Sequence, residues 1–202
     1  MTKVKKNSRH LISFFINSSG YLVPHISDDN FKTSKTLYPY LLGKRNAHAF
    51  YNLEKSLHGI KASLEILKEI VSLNGKILFI VSSSALNKSF NDNSVIDCLL
   101  WRRGPSQRTK SVDLLIVENI RGENTVEIQK SGMLMIGVHN STLTQISYPF
   151  NLNIEDSLLC YWFYNALVVA CYQGSLLKEK EGEKAKVFSS LFGKKQKNKK
   201  TK

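Results

Sequence analysis

The residues best placed to do chemistry in this 202-residue chain are eight lysines and arginines gathered in two acid-free windows. One window holds Lys32, Lys35, Lys44 and Arg45, the last two inside the basic turn Gly43-Lys44-Arg45-Asn46. The other is "WRRGPSQRTK", residues 101 to 110, with Trp101, Arg102, Arg103, Arg108 and Lys110 around a Gly104-Pro105 turn. Guanidinium groups make paired hydrogen bonds to phosphate, and a Gly-Pro turn lets backbone approach closely. Trp and Arg planes also stack on unpaired bases. The chemistry these windows suit is contact with nucleic-acid phosphate. A third basic run, containing Lys194, Lys195 and Lys197, lies near the C-terminus.

Other chemistries find little support. Cys98, Cys160 and Cys171 are odd in number and lack C-x-x-C spacing, so they read as small buried apolar residues. His10, His25, His48, His58 and His139 show no metal-ligand spacing, and His48 and His139 read as core or strand-edge residues. No G-x-G-x-x-G or G-K-[ST] loop is present to cradle a nucleotide. Ser82-Ser83-Ser84 follows an apolar run and reads as a helix cap, although a serine run can receive an anion at a helix start. Glu155-Asp156 suits a helix N-terminus. The expectation is no enzyme, no cofactor, no metal and no small-molecule substrate. The alternative is a doubly wound nucleotide- or anion-binding enzyme using Ser82 to Ser84 and Asn140 at strand ends.

The formal charge of +13 is unevenly spread. Residues 178–202 hold ten lysines against three glutamates, and residues 1–27 hold four basic residues and no acid. What remains after both ends and both windows are set aside is net acidic. Localised charge of this kind fits a phosphate-rich partner better than a merely soluble surface does. The basic, Ser-containing N-terminus reads as a transit peptide or as an arm of the mature protein. Residues 157–177 carry no charge. That length would span a membrane, but Asn165, Gln173 and Gly174 dilute it, so a buried helix and no membrane insertion are expected.

These residues need elements to hold them. Residues 47–51 read as a strand and Asn52 as the cap of a helix with Leu57, Ile60, Leu64, Leu67 and Val71 on one face. Lys61 and Glu65 are spaced to pair across one turn, and Asn74-Gly75 ends the helix, with Gly75 expected in the left-handed conformation. "KILFIV" (76–81), "VIDCLLW" (95–101), "DLLIVE" (113–118) and "MLMIGV" (133–138) read as strands buried on both faces. Helical pieces are expected near 84–91 and 123–131. A short edge strand covers 146–148, and an apolar helix runs from about Ile154 to Leu177. Strands alternating with helices predict right-handed crossovers and a parallel sheet covered on both sides. The division expected is a basic N-terminal arm (1–30), an α/β domain (31–177) and a lysine-rich tail (178–202), solvated unless a partner orders it.

One stretch is specific enough to resemble a family. "PYLLGKRNAHAFYNLEKSLHGIKASLEILKEIVSLNGKILFIV" resembles the bacterial-type small-subunit ribosomal protein S-two family, where Pro-Tyr, Gly, a basic Arg-Asn and a His-containing strand lead into Asn-Leu-Glu-Lys. Trp101 with Gly104, "DLLIVEN", "MIGVHNS" and "ISYPFNLNIEDS" extend the resemblance more thinly over residues 25–175. It implies a three-layer α/β/α, doubly wound, mostly parallel (flavodoxin-like) fold. The implied role is a non-enzymatic constituent of the small ribosomal subunit, binding small-subunit rRNA and neighbouring ribosomal proteins. Lys44, Arg45 and Asn46 match the family motif and become expected RNA contacts beside Trp101, Arg102, Arg103, Arg108 and Lys110. Few residues separate Arg108 from Asp113, so the family's coiled-coil hairpin is missing here. Only one histidine of its His-Phe-Gly-His motif is kept, as His25. The shortened chain and lysine-rich tail resemble a mitochondrial member, which implies the mitochondrial matrix.

Overall fold

The computed structural model describes residues 2–23, 35–46, 48–81, 96–100, 112–118, 132–138 and 146–197. Five strands form one parallel sheet: β4 (Ile77–Val81), β5 (Ile96–Leu100), β6 (Leu114–Glu118), β7 (Leu134–Val138) and β8 (Tyr148–Phe150). They lie in the order β5-β4-β6-β7-β8. Counted within the sheet this is 2-1-3-4-5, the strand order of flavodoxin-like sheets. Every residue of β4 and β6 is buried, as their unbroken apolar runs predict. Side chains alternate between two clusters. Ile77, Phe79, Val81, Leu114, Ile116, Ile136 and Val138 join one core, while Leu78, Ile80, Leu115, Val117 and Met135 form a second. Pro149 sits inside β8 instead of following it. It is tolerated because β8 is the sheet edge, where a missing N–H breaks no second ladder.

Helix α2 (Leu53–Ser72) covers the first cluster. Asn52 caps it, its side chain accepting from the Lys55 N–H at 3.2 Å. Leu57, Ile60, Leu67 and Val71 are buried, each contributing about 1.5–3 kcal/mol by leaving water. The helix end differs from expectation. Asn74, not Gly75, takes the left-handed conformation, with φ of 59°. The Asn74 and Gly75 N–H groups donate to the carbonyls of Val71 (3.1 Å) and Ile70 (2.8 Å), which completes a Schellman closure. Gly75 is needed for space: a Cβ there would lie 2.4 Å from Ile70 Cγ2 and 3.1 Å from the Ile70 carbonyl. The expected Lys61–Glu65 pair is also replaced. Glu65 pairs with Lys68 at 2.8 Å, and Lys61 Nζ donates to Ser8 Oγ at 3.3 Å.

Ser8 belongs to helix α1 (Thr2–Asn17), which lies within the segment read as a basic arm. Its C-terminal half is apolar and packs on the body. Phe15 is fully buried, with its ring edge-on to Trp162 at 4.9 Å. The lysines of "TKVKKNSRH" and the apolar "LISFF" are thus one helix with two ends of different character.

Helix α3 (Ser157–Lys197) starts at Asp156, whose carboxylate accepts from the Leu158 and Leu159 N–H groups at 2.8 and 3.3 Å. It crosses α2 closely at Gly174, where a Cβ would lie 2.5 Å from the Lys68 carbonyl and 2.8 Å from Val71 Cβ. The apolar pattern predicts an end near Leu177, but the helix continues to Lys197. The physical reason is that Lys, Glu and Ala are good helix formers whatever the hydropathy, so loss of the apolar face ends the packing without ending the helix. Residues 176–184 are all exposed. Among the described residues no helix is long and apolar enough to cross a membrane.

A candidate nucleic-acid interface on a basic hairpin

The expected basic turn is part of a separate small sheet. Strands β1 (Leu22–Val23), β2 (Leu41–Arg45) and β3 (His48–Tyr51) pair antiparallel in the order β1-β3-β2. This corrects the expectation that the 47–51 strand joins the parallel sheet as its first βα unit. Arg45 is paired with His48, so only positions 46 and 47 connect β2 to β3. So short a connection joins antiparallel neighbours; a parallel pair needs a crossover of a dozen or more residues. Asn46 holds φ of 48°, a left-handed position that Asn tolerates.

The hairpin is anchored at its base and bare at its tip. Val23, Leu37, Ala49 and Tyr51 form a small buried cluster beneath it. Burial pushes the Tyr51 phenol pKa well above its usual value, so it stays neutral. The 3-10 helical segment Lys35–Tyr40 ties the base to α2. There the Asn52 N–H donates to the Tyr40 carbonyl at 2.7 Å, and Lys55 Nζ donates to the Pro39 carbonyl at 3.2 Å. At the tip Leu42, Gly43, Lys44, Arg45, Asn46 and His48 are exposed. No carboxylate pairs with Lys44 or Arg45 among the described residues.

Register decides how these charges are presented. Residues directly opposite each other share a face, and successive residues alternate. Arg45 therefore shares one face with His48, and Lys44 shares the other with Ala49. The two cations straddle an edge strand. Sequence reasoning assigned His48 to the core or a strand edge. The exposed position opposite Arg45 adds it to the candidate interface, and the signal for it is the short connection that forces this register.

The remaining expected contacts are distributed differently. Trp101, Arg102, Arg103, Arg108 and Lys110 lie outside the described residues, as do Ser82 to Ser84, Asn140, His25 and His139. The backbone at Lys194, Lys195 and Lys197 is helical, at the far end of α3. Gly174 packs against Lys68 and Val71, near the end of α2 that leads into β4, and α3 runs on from there. The segments 84–91 and 123–131, read as helical pieces, also lie outside the described residues.

The carboxyl ends of the parallel strands are where doubly wound sheets bind ligands. There Glu118 is buried at the end of β6. Burial, with the nearby Glu118 carboxylate, raises the Cys160 thiol pKa, while a hydrogen bond with Tyr164 partly offsets it. A nucleophilic cysteine needs the opposite shift. Cys171 is buried on α3, its pKa pushed up to about 11. No group of three or more His, Cys, Asp and Glu side chains that could hold a metal occurs among the described residues. No protein-family model matches the chain, and no curated protein matches it.

Proposed function

We propose that this chain is a structural constituent of the small ribosomal subunit, holding small-subunit rRNA through basic projections on a rigid α/β body. The observation that carries the reading is the β2–β3 hairpin, which holds Lys44, Arg45, Asn46 and His48 exposed with no carboxylate paired to its two cations among the described residues. Support also comes from the resemblance of residues 39–81 to the S-two family, whose basic motif falls on this hairpin. In this reading the parallel sheet is the centre of a three-layer, doubly wound body that lacks the family's coiled-coil hairpin.

The mechanism is electrostatic positioning. Cations on a rigid hairpin displace counterions from phosphates, and the body fixes where those cations sit. Arg102, Arg103, Arg108 and Lys110, with Trp101 for stacking, form a second contact, and the lysines from Lys194 onward a third. Neighbouring ribosomal proteins meet the net acidic remainder. The setting proposed is the mitochondrial small subunit, and the role is non-enzymatic.

Charge on an edge strand has another use, blocking edge-to-edge pairing with other chains. Incorporation separates the two. The double variant Lys44→Glu, Arg45→Glu should enter small subunits poorly on a sucrose gradient while the isolated chain keeps its melting temperature. Incorporation equal to the parent chain would overturn the hairpin's role.

A further inference from the structure

The two faces of the three-stranded sheet differ in character. The inner face carries Val23, Leu41, Ala49 and Tyr51, which pack with Leu37. Side chains alternate along a strand and opposed residues share a face. Phe50 therefore lies on the outer face between Leu22 and Gly43, and the pair His48 and Arg45 lies one step further towards the tip. Phe50 is half-buried, yet it belongs to none of the buried clusters among the described residues. Its ring stacks on Tyr21, with centroids 6.0 Å apart and planes inclined by 18°. Tyr21 in turn packs against the main core, so the Phe50 ring is supported on that side. On the β2 side there is room: a Cβ built on Gly43 would meet nothing within 4 Å.

A bulge makes that opening. Leu41 pairs with Tyr51 and Gly43 pairs with Phe50, so β2 carries one extra residue, Leu42, between them. In an unbroken register Leu42 would stand opposite Phe50, and Lys44 opposite His48. The bulge instead sets glycine opposite Phe50 and Arg45 opposite His48. Bulges re-aim side chains in this way and are over-represented beside functional sites.

We infer that this outer face takes unpaired RNA, with one base stacked on Phe50 in the opening over Gly43 and the next on His48 and Arg45. The inference rests on the reading of the hairpin as an rRNA contact and specifies the form of RNA it takes. Phe and His rings and Arg guanidinium planes are the groups on which proteins stack splayed-out bases, and exposed sheet faces present such rings to successive bases. Phe50 and His48 are two residues apart, about 6.6–6.8 Å along the strand. Arg45 on this face and Lys44 on the other border the platform with positive charge, and no carboxylate pairs with either among the described residues. That charge complements a phosphate backbone passing over the edge strand β2. In a duplex the bases cover one another's faces, so the platform would gain nothing there beyond phosphate contact.

Fluorescence anisotropy of the full chain with a single-stranded RNA oligomer, and with the duplex it forms with its complement, tests this across a salt series. The expected result is tighter binding of the single strand. Phe50→Leu, which keeps an apolar side chain and loses the ring, should weaken that binding about 5- to 150-fold. Gly43→Val, which fills the opening with a good strand former, should weaken it similarly without lowering the melting temperature. Neither variant should change the slope of log affinity against log salt, because no cation is lost. Single-strand affinity indifferent to both variants overturns the inference. It leaves the rRNA reading standing if the Lys44→Glu, Arg45→Glu variant still weakens binding. A duplex bound at least as tightly as the single strand also overturns the inference, and so does a salt slope that falls in both variants. Binding of neither RNA, or of polyglutamate in preference to both, overturns the inference and the rRNA reading together.

Discussion

Lys44 and Arg45 are neighbours in sequence and face opposite ways in space. If both meet phosphate, they grip it from two sides of an edge strand instead of lying on one plane. Each lost phosphate contact removes about 0.7–0.9 from the slope of log affinity against log salt. The Glu double variant should therefore flatten that slope for an rRNA fragment by about 1.4–1.8, measured by filter binding; an unchanged slope with intact folding would argue for edge protection alone. Asn74 and Gly75 carry a second residue-scale lesson. "NG" marks the end of α2, yet Asn74 takes the left-handed position of the closing turn, and Gly75 supplies the room that a Cβ beside Ile70 would not have. Gly75→Ala should destabilise the chain by about 1–3 kcal/mol through overpacking. Asn74→Gly should be neutral or stabilise by up to about 1 kcal/mol, since Gly is at ease there. Denaturant midpoints compare the two. The opposite order would contradict this assignment.

Elements were legible where one signal dominated. The apolar stripe of α2 and its Asn52 cap, and the unbroken apolar runs of β4 and β6, are placed by the residues themselves. Elements were misread where two signals competed. For β3, a strand followed by a helix looks like the start of a βα unit, but its partner is the preceding strand across a two-residue connection. For α3, the switch from apolar to charged residues resembles a helix end, but helix propensity continues. Gly174 and Gly182 make the point measurable within that one helix. Both glycines lower intrinsic helicity, by about 1 kcal/mol relative to Ala. Gly182 faces open space, so Gly182→Ala should stabilise by about 0.5–1 kcal/mol. Gly174→Ala should destabilise by about 1–3 kcal/mol, because the crossing with α2 leaves no room for Cβ. Thermal melts of the two variants should move in opposite directions.

At the scale of the molecule, a packed α/β body carries projections that contribute little to its core. Residues 176–184 of α3 are exposed and Gly182 has no neighbour within 4 Å of a built Cβ. Truncation after Lys184 should leave the melting temperature of the body within a degree or two, while lowering affinity for rRNA and its salt dependence. A large loss of thermal stability would mean that the end of α3 folds back onto the body. In the proposed reading the projections and the core answer to different forces: core burial does not depend on charge screening, whereas the basic end of α3 would act through counterion release.

The sequence by itself determined the parallel strands, the amphipathic α2 with its cap, and the clustering of positive charge. Each depends on local periodicity, capping chemistry or composition, which operate within a few residues. Tertiary structure alone decided that β3 leaves the parallel sheet, and that Lys44 and Arg45 straddle an edge with His48 beside Arg45. It also decided that one apolar side of α3 is left uncovered. These outcomes depend on which distant surfaces meet. Burial is a property of pairs of elements, and a helix apolar on two sides carries no mark of which side the body will take.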